Sequence, residues 1–159
     1  MRVYQLKRTQ ILPLSLEEAW SFFSTPQNLN EITPDDMSFE ILPPKPDENM
    51  YEGMIINYIV RPVLNIPMRW TTEIKHVKEQ HYFVDEQRFG PYAFWHHKHF
   101  FEAHPDGVKM TDIVDYAIPF GPLGEIARLI FVEKKLNSIF DFRYTKLESM
   151  FTQTKKEAV

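Results

Sequence analysis

The stretch Gly121–Phe151, GPLGEIARLIFVEKKLNSIFDFRYTKLESMF, decides the fold. No proline follows Pro122 and no glycine follows Gly124. Leu129, Val132, Leu136, Ile139, Phe140, Arg143, Leu147 and Met150 recur at spacings of three and four, the period of a helix with one apolar face. About 28 helical residues at ~1.5 Å rise make a rod roughly 42 Å long. Such a rod lies across most of a small domain.

Almost everything before it reads as sheet. Residues 3–12 alternate, with Tyr4, Leu6, Arg8, Gln10 and Leu12 on one face, and predict a first strand that Pro13 ends. Ser15 and Glu18 form a capping box for a short helix whose apolar face is Trp20, Phe23 and Leu16. Thr25-Pro26 starts a second short helix that runs to about Glu31. Strands are predicted at 37–42, 54–62, 69–77, 82–89, 93–103 and 108–119. Pro62 and Pro67 bracket a break, VLNI, readable as a bulge, an edge or a mobile lip. His104–Gly107, HPDG, is a hairpin signal between the last two strands. The order of strand, two short helices, six strands and long helix predicts an α+β fold with an antiparallel meander. Strand–helix–strand alternation is absent, which disfavours a doubly wound parallel sheet. We expect one domain over 1–152 and a frayed tail over 153–159.

Thirteen Phe, seven Tyr and three Trp suit a large apolar interior, filled or hollow. A net charge of −4 with interspersed signs and no basic stripe argues against a nucleic-acid partner. The absence of cysteine excludes disulfides, thiolate nucleophiles and Cys-ligated zinc. The N-terminus lacks a signal-peptide core, and no stretch approaches the ~20 apolar residues of a membrane span. A cytoplasmic protein is the expectation. Serine-nucleophile motifs and phosphate-binding glycine loops are absent, and GPLG is a strand-to-helix turn.

The element order, with GPYAFWHHKHFFE (Gly90–Glu102) and TDIVDYAIPFGPLG (Thr111–Gly124), resembles the helix-grip superfamily. This group, called SRPBCC, includes START lipid-transfer domains, polyketide cyclase/dehydrase-like proteins and pathogenesis-related plant allergens. The two phrases are similar to those of a bacterial ligand-binding subgroup and carry no catalytic motif. The resemblance implies a seven-stranded curved sheet wrapped around the C-terminal helix, with a hydrophobic cavity between them.

The chemistry-bearing stretch is Trp95-His96-His97-Lys98-His99-Phe100-Phe101. Strand alternation puts Trp95, His97, His99 and Phe101 on one face. On the next strand Met110, Asp112, Val114 and Tyr116 share a face, and Thr111, Ile113 and Asp115 share the other. We assign the faces bearing His97, His99, Asp112 and Tyr116 as concave, because they set aromatics beside polar anchors. Asp112 is then the natural partner of a sixth-strand histidine, although either Asp112 or Asp115 can be an ordinary exposed residue. Trp70 and Thr72 on the fourth strand, whose parity also carries Ile74 and His76, and Asp85 and Gln87 on the fifth complete the sheet side. Leu136, Phe140 and Arg143 complete the helix side. Arg143 needs a carboxylate, as a salt bridge to the sheet or as a clamp on a ligand's carboxylate.

This lining fits a small hydrophobic or amphipathic ligand with a polar handle, and equally a buried structural network. Binding or transport, lipid-like or polyketide-like, is the leading expectation. A cyclase/dehydrase- or hydrolase-like enzyme using His97 or His99 with Asp112 is the first alternative. A protein-interaction or regulatory domain with a collapsed interior is the second; it would expose an apolar patch near Val63–Ile66 and pair as a homodimer. No cofactor and no metal is expected, since a metal needs a third ligand and an outer shell that the spacing does not supply.

Overall fold

The computed structural model describes residues 2–45, 49–61 and 66–157, with backbone alone over 153–157. Strand β1 (Tyr4–Leu12) leads through the Ser15 cap into helix α1 (Leu16–Phe23). Ser15 N–H donates to Glu18 Oε2 at 2.8 Å and Glu18 N–H to Ser15 Oγ at 3.2 Å, so both halves of the capping box form. Two 3-10 turns follow, Pro26–Asn30 and Asp35–Met37. Strands β2 (Glu40–Ile41), β3 (Ile55–Val60), β4 (Met68–Lys78), β5 (Tyr82–Phe89), β6 (Phe94–His104) and β7 (Gly107–Ala117) complete the sheet.

All seven strands form one antiparallel sheet in the order β1-β7-β6-β5-β4-β3-β2. The meander is the expected one, with β1 added beside β7 so that the first strand closes the edge. Alternation on β1 holds: the even-numbered residues turn toward the helix and the odd-numbered ones outward. Tyr4 O–H donates to Glu125 Oε2 at 2.5 Å, Arg8 Nη2 to Asn137 Oδ1 at 2.5 Å, and Gln10 Nε2 to the Tyr144 carbonyl at 2.9 Å. One edge strand thereby fastens the C-terminal rod along much of its length.

That rod is helix α2 (Gly121–Ala127), a π turn (Arg128–Val132) and helix α3 (Glu133–Glu157), with right-handed helical backbone at both joins. The π turn is where the sequence periodicity fails. Its wider winding rotates the preceding residues relative to those that follow. Leu129, expected on the apolar face, is 65% exposed, whereas Leu136, Phe140, Arg143 and Leu147 are buried as expected.

Two other expectations change. The second strand shrinks to Glu40–Ile41, because Met37 belongs to a 3-10 turn that ends at Ser38 in a left-handed conformation. On β4 the pairing with β5 shifts register between Ile74 and His76, which turns His76 outward and Val77 inward. The VLNI break and the patch at Val63–Ile66 lie outside the described residues except for Ile66, which is exposed. Among the described residues, no helix is long and apolar enough to cross a membrane.

The solid core sits at one end of the grip. There Trp20 and Phe23 of α1 pack on Phe83, Phe101, Met110 and Leu147. The other end of the space between sheet and rod is hollow.

Candidate functional site

The hollow is a cavity of about 640 Å³, within the usual ~300–1,000 Å³ of small-molecule sites. Its walls are mostly apolar: Ile56, Val60, Trp70, Tyr92 and Trp95 from the sheet side, Leu136, Ile139 and Phe140 from the helix, Leu29 and Ile32 from the first 3-10 turn and its sequel. The polar lining includes Thr33, Thr72 and Lys135, the last paired with Asp36 at 2.5 Å, and two further places stand out. Asp85, His97 and His99 lie on the sheet wall, and Arg143 lies on the helix.

The sheet cluster follows from register. The His104–Gly107 hairpin sets His99 opposite Asp112, and the β5–β6 pairing sets Asp85 opposite His97. Same-face neighbours on three adjacent strands therefore form a square of two rings and two carboxylates. Asp85 Oδ2 is 3.0 Å from His99 Nε2 and 3.4 Å from His97 Nδ1. Asp112 Oδ1 is 3.0 Å from His97 Nε2 and 2.7 Å from His99 Nδ1. The last contact is close but misaligned, so His99 Nδ1 has no hydrogen-bond partner among the described residues. Trp95 Nε1–H donates to Asp85 Oδ1 at 3.3 Å.

Burial opposes charge on every member of the square. For Asp112 and Asp85 the histidines outweigh burial and hold both carboxyls below the usual carboxylate range. His97 is pulled below its ordinary value by burial, reinforced by His99. Burial pulls His99 the same way, but Asp112 and Asp85 overcome it and leave that ring above its ordinary value. The two rings thus differ in proton affinity while sharing both carboxylates.

Arg143 is 9% exposed and rests over the Phe140 ring at 5.0 Å. Among the described residues no carboxylate lies within 4.0 Å of its guanidinium, and Nε has no hydrogen-bond partner. The salt bridge to the sheet that the sequence allowed is not formed among them. Phe140 stands edge-on to His97 at 5.7 Å and so links the two polar places.

The structure brings together Trp70, Thr72, Asp85, Trp95, His97, His99, Leu136, Phe140 and Arg143 on the cavity wall. Gln87, Phe101, Asp112 and Tyr116 sit elsewhere. The Gln87 amide is committed to the Tyr92 backbone, donating to its carbonyl at 2.7 Å and accepting from its N–H at 3.2 Å. Phe101 belongs to the solid core with Trp20 and Phe23, and Tyr116 packs among Tyr4, Tyr92 and Leu136. Asp112 stands behind the histidines, in contact with them and away from the cavity. Sequence reasoning missed Tyr58 and Tyr92, whose rings line the cavity beside Trp70. Tyr58 shares strand parity with Ile56 and Val60, a signal that could have found it. Tyr92 follows the Gly90-Pro91 break, where alternation gives no guide.

On the sheet's outer face, Asp115 pairs with Lys98 Nζ at 2.7 Å and accepts from Gln5 Nε2 at 2.7 Å. Asp115 is the ordinary surface carboxylate and Asp112 the inner one.

No family model matches the chain, and no curated protein matches it. Solved structures do. An aromatase/cyclase, ZhuI, from Streptomyces sp. R1128 is 11% identical with a TM-score of 0.74, over 96% of this chain and 95% of that one. The protein TTHA0849 from Thermus thermophilus is 13% identical with a TM-score of 0.71, over 95% and 99%. Ara h 8.0201 is 18% identical with a TM-score of 0.60, over 93% and 99%. At such identities the likeness is one of fold, and it covers nearly the whole of each chain. The chain therefore has the helix-grip fold, a seven-stranded antiparallel sheet curved around a long C-terminal helix.

Proposed function

We propose that the protein binds, for carriage or presentation, a small amphipathic molecule whose apolar body fills the cavity and whose anionic head meets Arg143. The observation that carries this reading is a buried cation, with no described carboxylate within 4.0 Å of it, on the wall of a largely apolar cavity of about 640 Å³. An interior of that volume also argues against a domain with a collapsed cavity. A carboxylated lipid or a polyketide-like acid has the required chemistry: apolar length, with one oxygen anion to pair with a guanidinium. The test is native mass spectrometry of protein purified from its own host, followed by unbiased analysis of extracted small molecules. A stoichiometric amphipathic acid is expected. A ligand-free mass, with no uptake of fatty or aromatic carboxylates on titration, would overturn the reading.

A second reading is favoured by the histidine pair. Two buried rings of unlike proton affinity facing one cavity can serve as general base and general acid. A similar structure is an aromatase/cyclase, and a cyclisation or dehydration draws on such a pair. Incubation with linear poly-β-ketone thioesters tests it. Turnover that disappears in His97→Asn while ligand binding persists supports catalysis. Binding of these substrates without turnover rejects it.

A further inference from the structure

The wall cluster holds more order than a polar handle needs. Each histidine shows one ring nitrogen to Asp85 and the other to Asp112. His97 uses Nδ1 toward Asp85 and Nε2 toward Asp112; His99 uses Nε2 toward Asp85 and Nδ1 toward Asp112. Asp85, His97 and His99 line the cavity and Asp112 does not. We propose that Asp85, His97 and His99 bind a divalent first-row transition-metal ion, with Asp112 as the common outer partner of both rings.

A hydrogen-bond inventory motivates this. All four ring nitrogens lie within 3.4 Å of a carboxylate oxygen. A neutral imidazole carries one N–H and one lone pair. Two neutral rings supply protons for only half of the contacts, and the rest set a lone pair against a carboxylate. Charging both rings instead places two imidazolium ions side by side, with centroids 3.7 Å apart. A divalent cation removes the conflict. It takes the lone pairs on the Asp85 side and leaves each N–H for Asp112. It also balances the two carboxylates, so the buried assembly is neutral. Metallation of His99 at Nε2 would fix its proton on Nδ1, the nitrogen 2.7 Å from Asp112 Oδ1.

The geometry agrees. One donor atom from each of Asp85, His97 and His99 lies within 4.8 Å of the others. The Asp85 oxygen lies 3.0 and 3.4 Å from the two ring donors, and with each about 2.1 Å from an ion these two spacings subtend angles of about 90–110°. Two imidazoles and one carboxylate favour zinc, iron or cobalt over calcium and magnesium. Three protein ligands leave positions open toward the cavity, the arrangement of a reactive centre rather than a structural one. Carboxylate-held outer nitrogens fix the tautomers of ligating histidines, the role that falls here to Asp112. The open positions would take a ligand oxygen, so the ion can bind or polarise a carbonyl or carboxylate within the cavity. The inference holds whatever molecule fills the rest of the cavity, and it stands in place of the acid–base reading of the two rings, since a ligating imidazole has no lone pair left to act as a base.

The test uses the tag-free full chain, stripped with chelator, verified folded by circular dichroism, and titrated with Co²⁺ alone. One equivalent is expected to bind and give the visible d–d bands of a low-coordinate site. Asp85→Asn and His99→Gln should each weaken binding by about 100-fold or more, and Asp112→Asn by about 10- to 100-fold. His81→Gln/His104→Gln, on the surface, should leave it unchanged. Long-range ¹H–¹⁵N spectra of the wild-type zinc form need no variant to fold. They should show His97 metallated at Nδ1 and His99 at Nε2. Absence of stoichiometric binding overturns the proposal. So does affinity indifferent to the Asp85 and His99 substitutions, or metallation confined to His81 or His104.

Discussion

Replacing Arg143 by Met separates what the residue does for the fold from what it does for a ligand. Arg143 is 9% exposed, and among the described residues its Nε has no hydrogen-bond partner and no carboxylate lies within 4.0 Å of its guanidinium. A buried donor without a partner costs about 1–3 kcal/mol. Against this stands the contact over Phe140 at 5.0 Å, a cation–π interaction of about 0.5–2 kcal/mol. Met keeps an unbranched apolar stem and removes both terms. Ligand-free Arg143→Met should therefore be as stable as wild type, or more stable by about 1 kcal/mol, in urea denaturation. Ligand binding should move the other way. A charge-assisted hydrogen bond to a carboxylate is worth about 1.5–3 kcal/mol, so the variant should bind a fatty carboxylate roughly 10- to 150-fold more weakly. The matching primary alcohol should bind both proteins alike. If the variant loses more than ~2 kcal/mol of stability and both probes weaken equally, Arg143 is a structural residue and the reasoning fails.

Tyr58 and Tyr92 tie alkaline stability to the cavity. Burial raises both phenols above their ordinary value near ~10. The unfolded chain releases these protons first, so their contribution is full below about pH 10 and is lost as pH rises above it. Stability should fall by about 1.4 kcal/mol per pH unit per phenol above pH ~10, and Tyr58→Phe should reduce that slope by one proton; an unchanged slope refutes the assignment. Gly107 has φ +136°, and a Cβ there would stand 2.1 Å from the Leu12 carbonyl oxygen. Gly107→Ala should cost more than about 2 kcal/mol, a drop in Tm of at least ~4 °C by calorimetry, and a smaller drop contradicts the close approach. Ser15→Ala should cost about 1 kcal/mol in urea denaturation through loss of the capping box, and no measurable loss would show that the α1 cap is redundant.

The fold was legible because its signals are local. The capping box, the HPDG hairpin and the alternation on β1 and β6 each read true, since each depends on a few adjacent residues. Fixing the hairpin also fixed the pairing of His99 with Asp112. The errors arise where geometry is set at a distance. The π turn rotates Leu129 outward although the apolar period continues through it. The β4 irregularity reverses the parity of His76. Parity put Phe101, Tyr116 and Asp112 on the inner face correctly, but a face does not say which of its residues meet open space. Depth along the grip decides that, and α1 fills only one end.

The histidine–aspartate square is hard to explain as a stability device. Buried charges cost several kcal/mol each in desolvation, and packed apolar residues of similar volume commonly serve a fold as well or better. The same sheet shows that alternative nearby: Val114 and Phe101, on the same inner face, are apolar and fully or almost fully buried. Nor is the square needed for register, because the His104–Gly107 turn and the β1–β7 pairing already set it. These four residues occupy adjacent strands beside the cavity and are not scattered through the core. Their cost is local to that space, and so is any return. A function that uses the cavity, through bound anion, proton or metal, gives these charges a reason that folding alone does not.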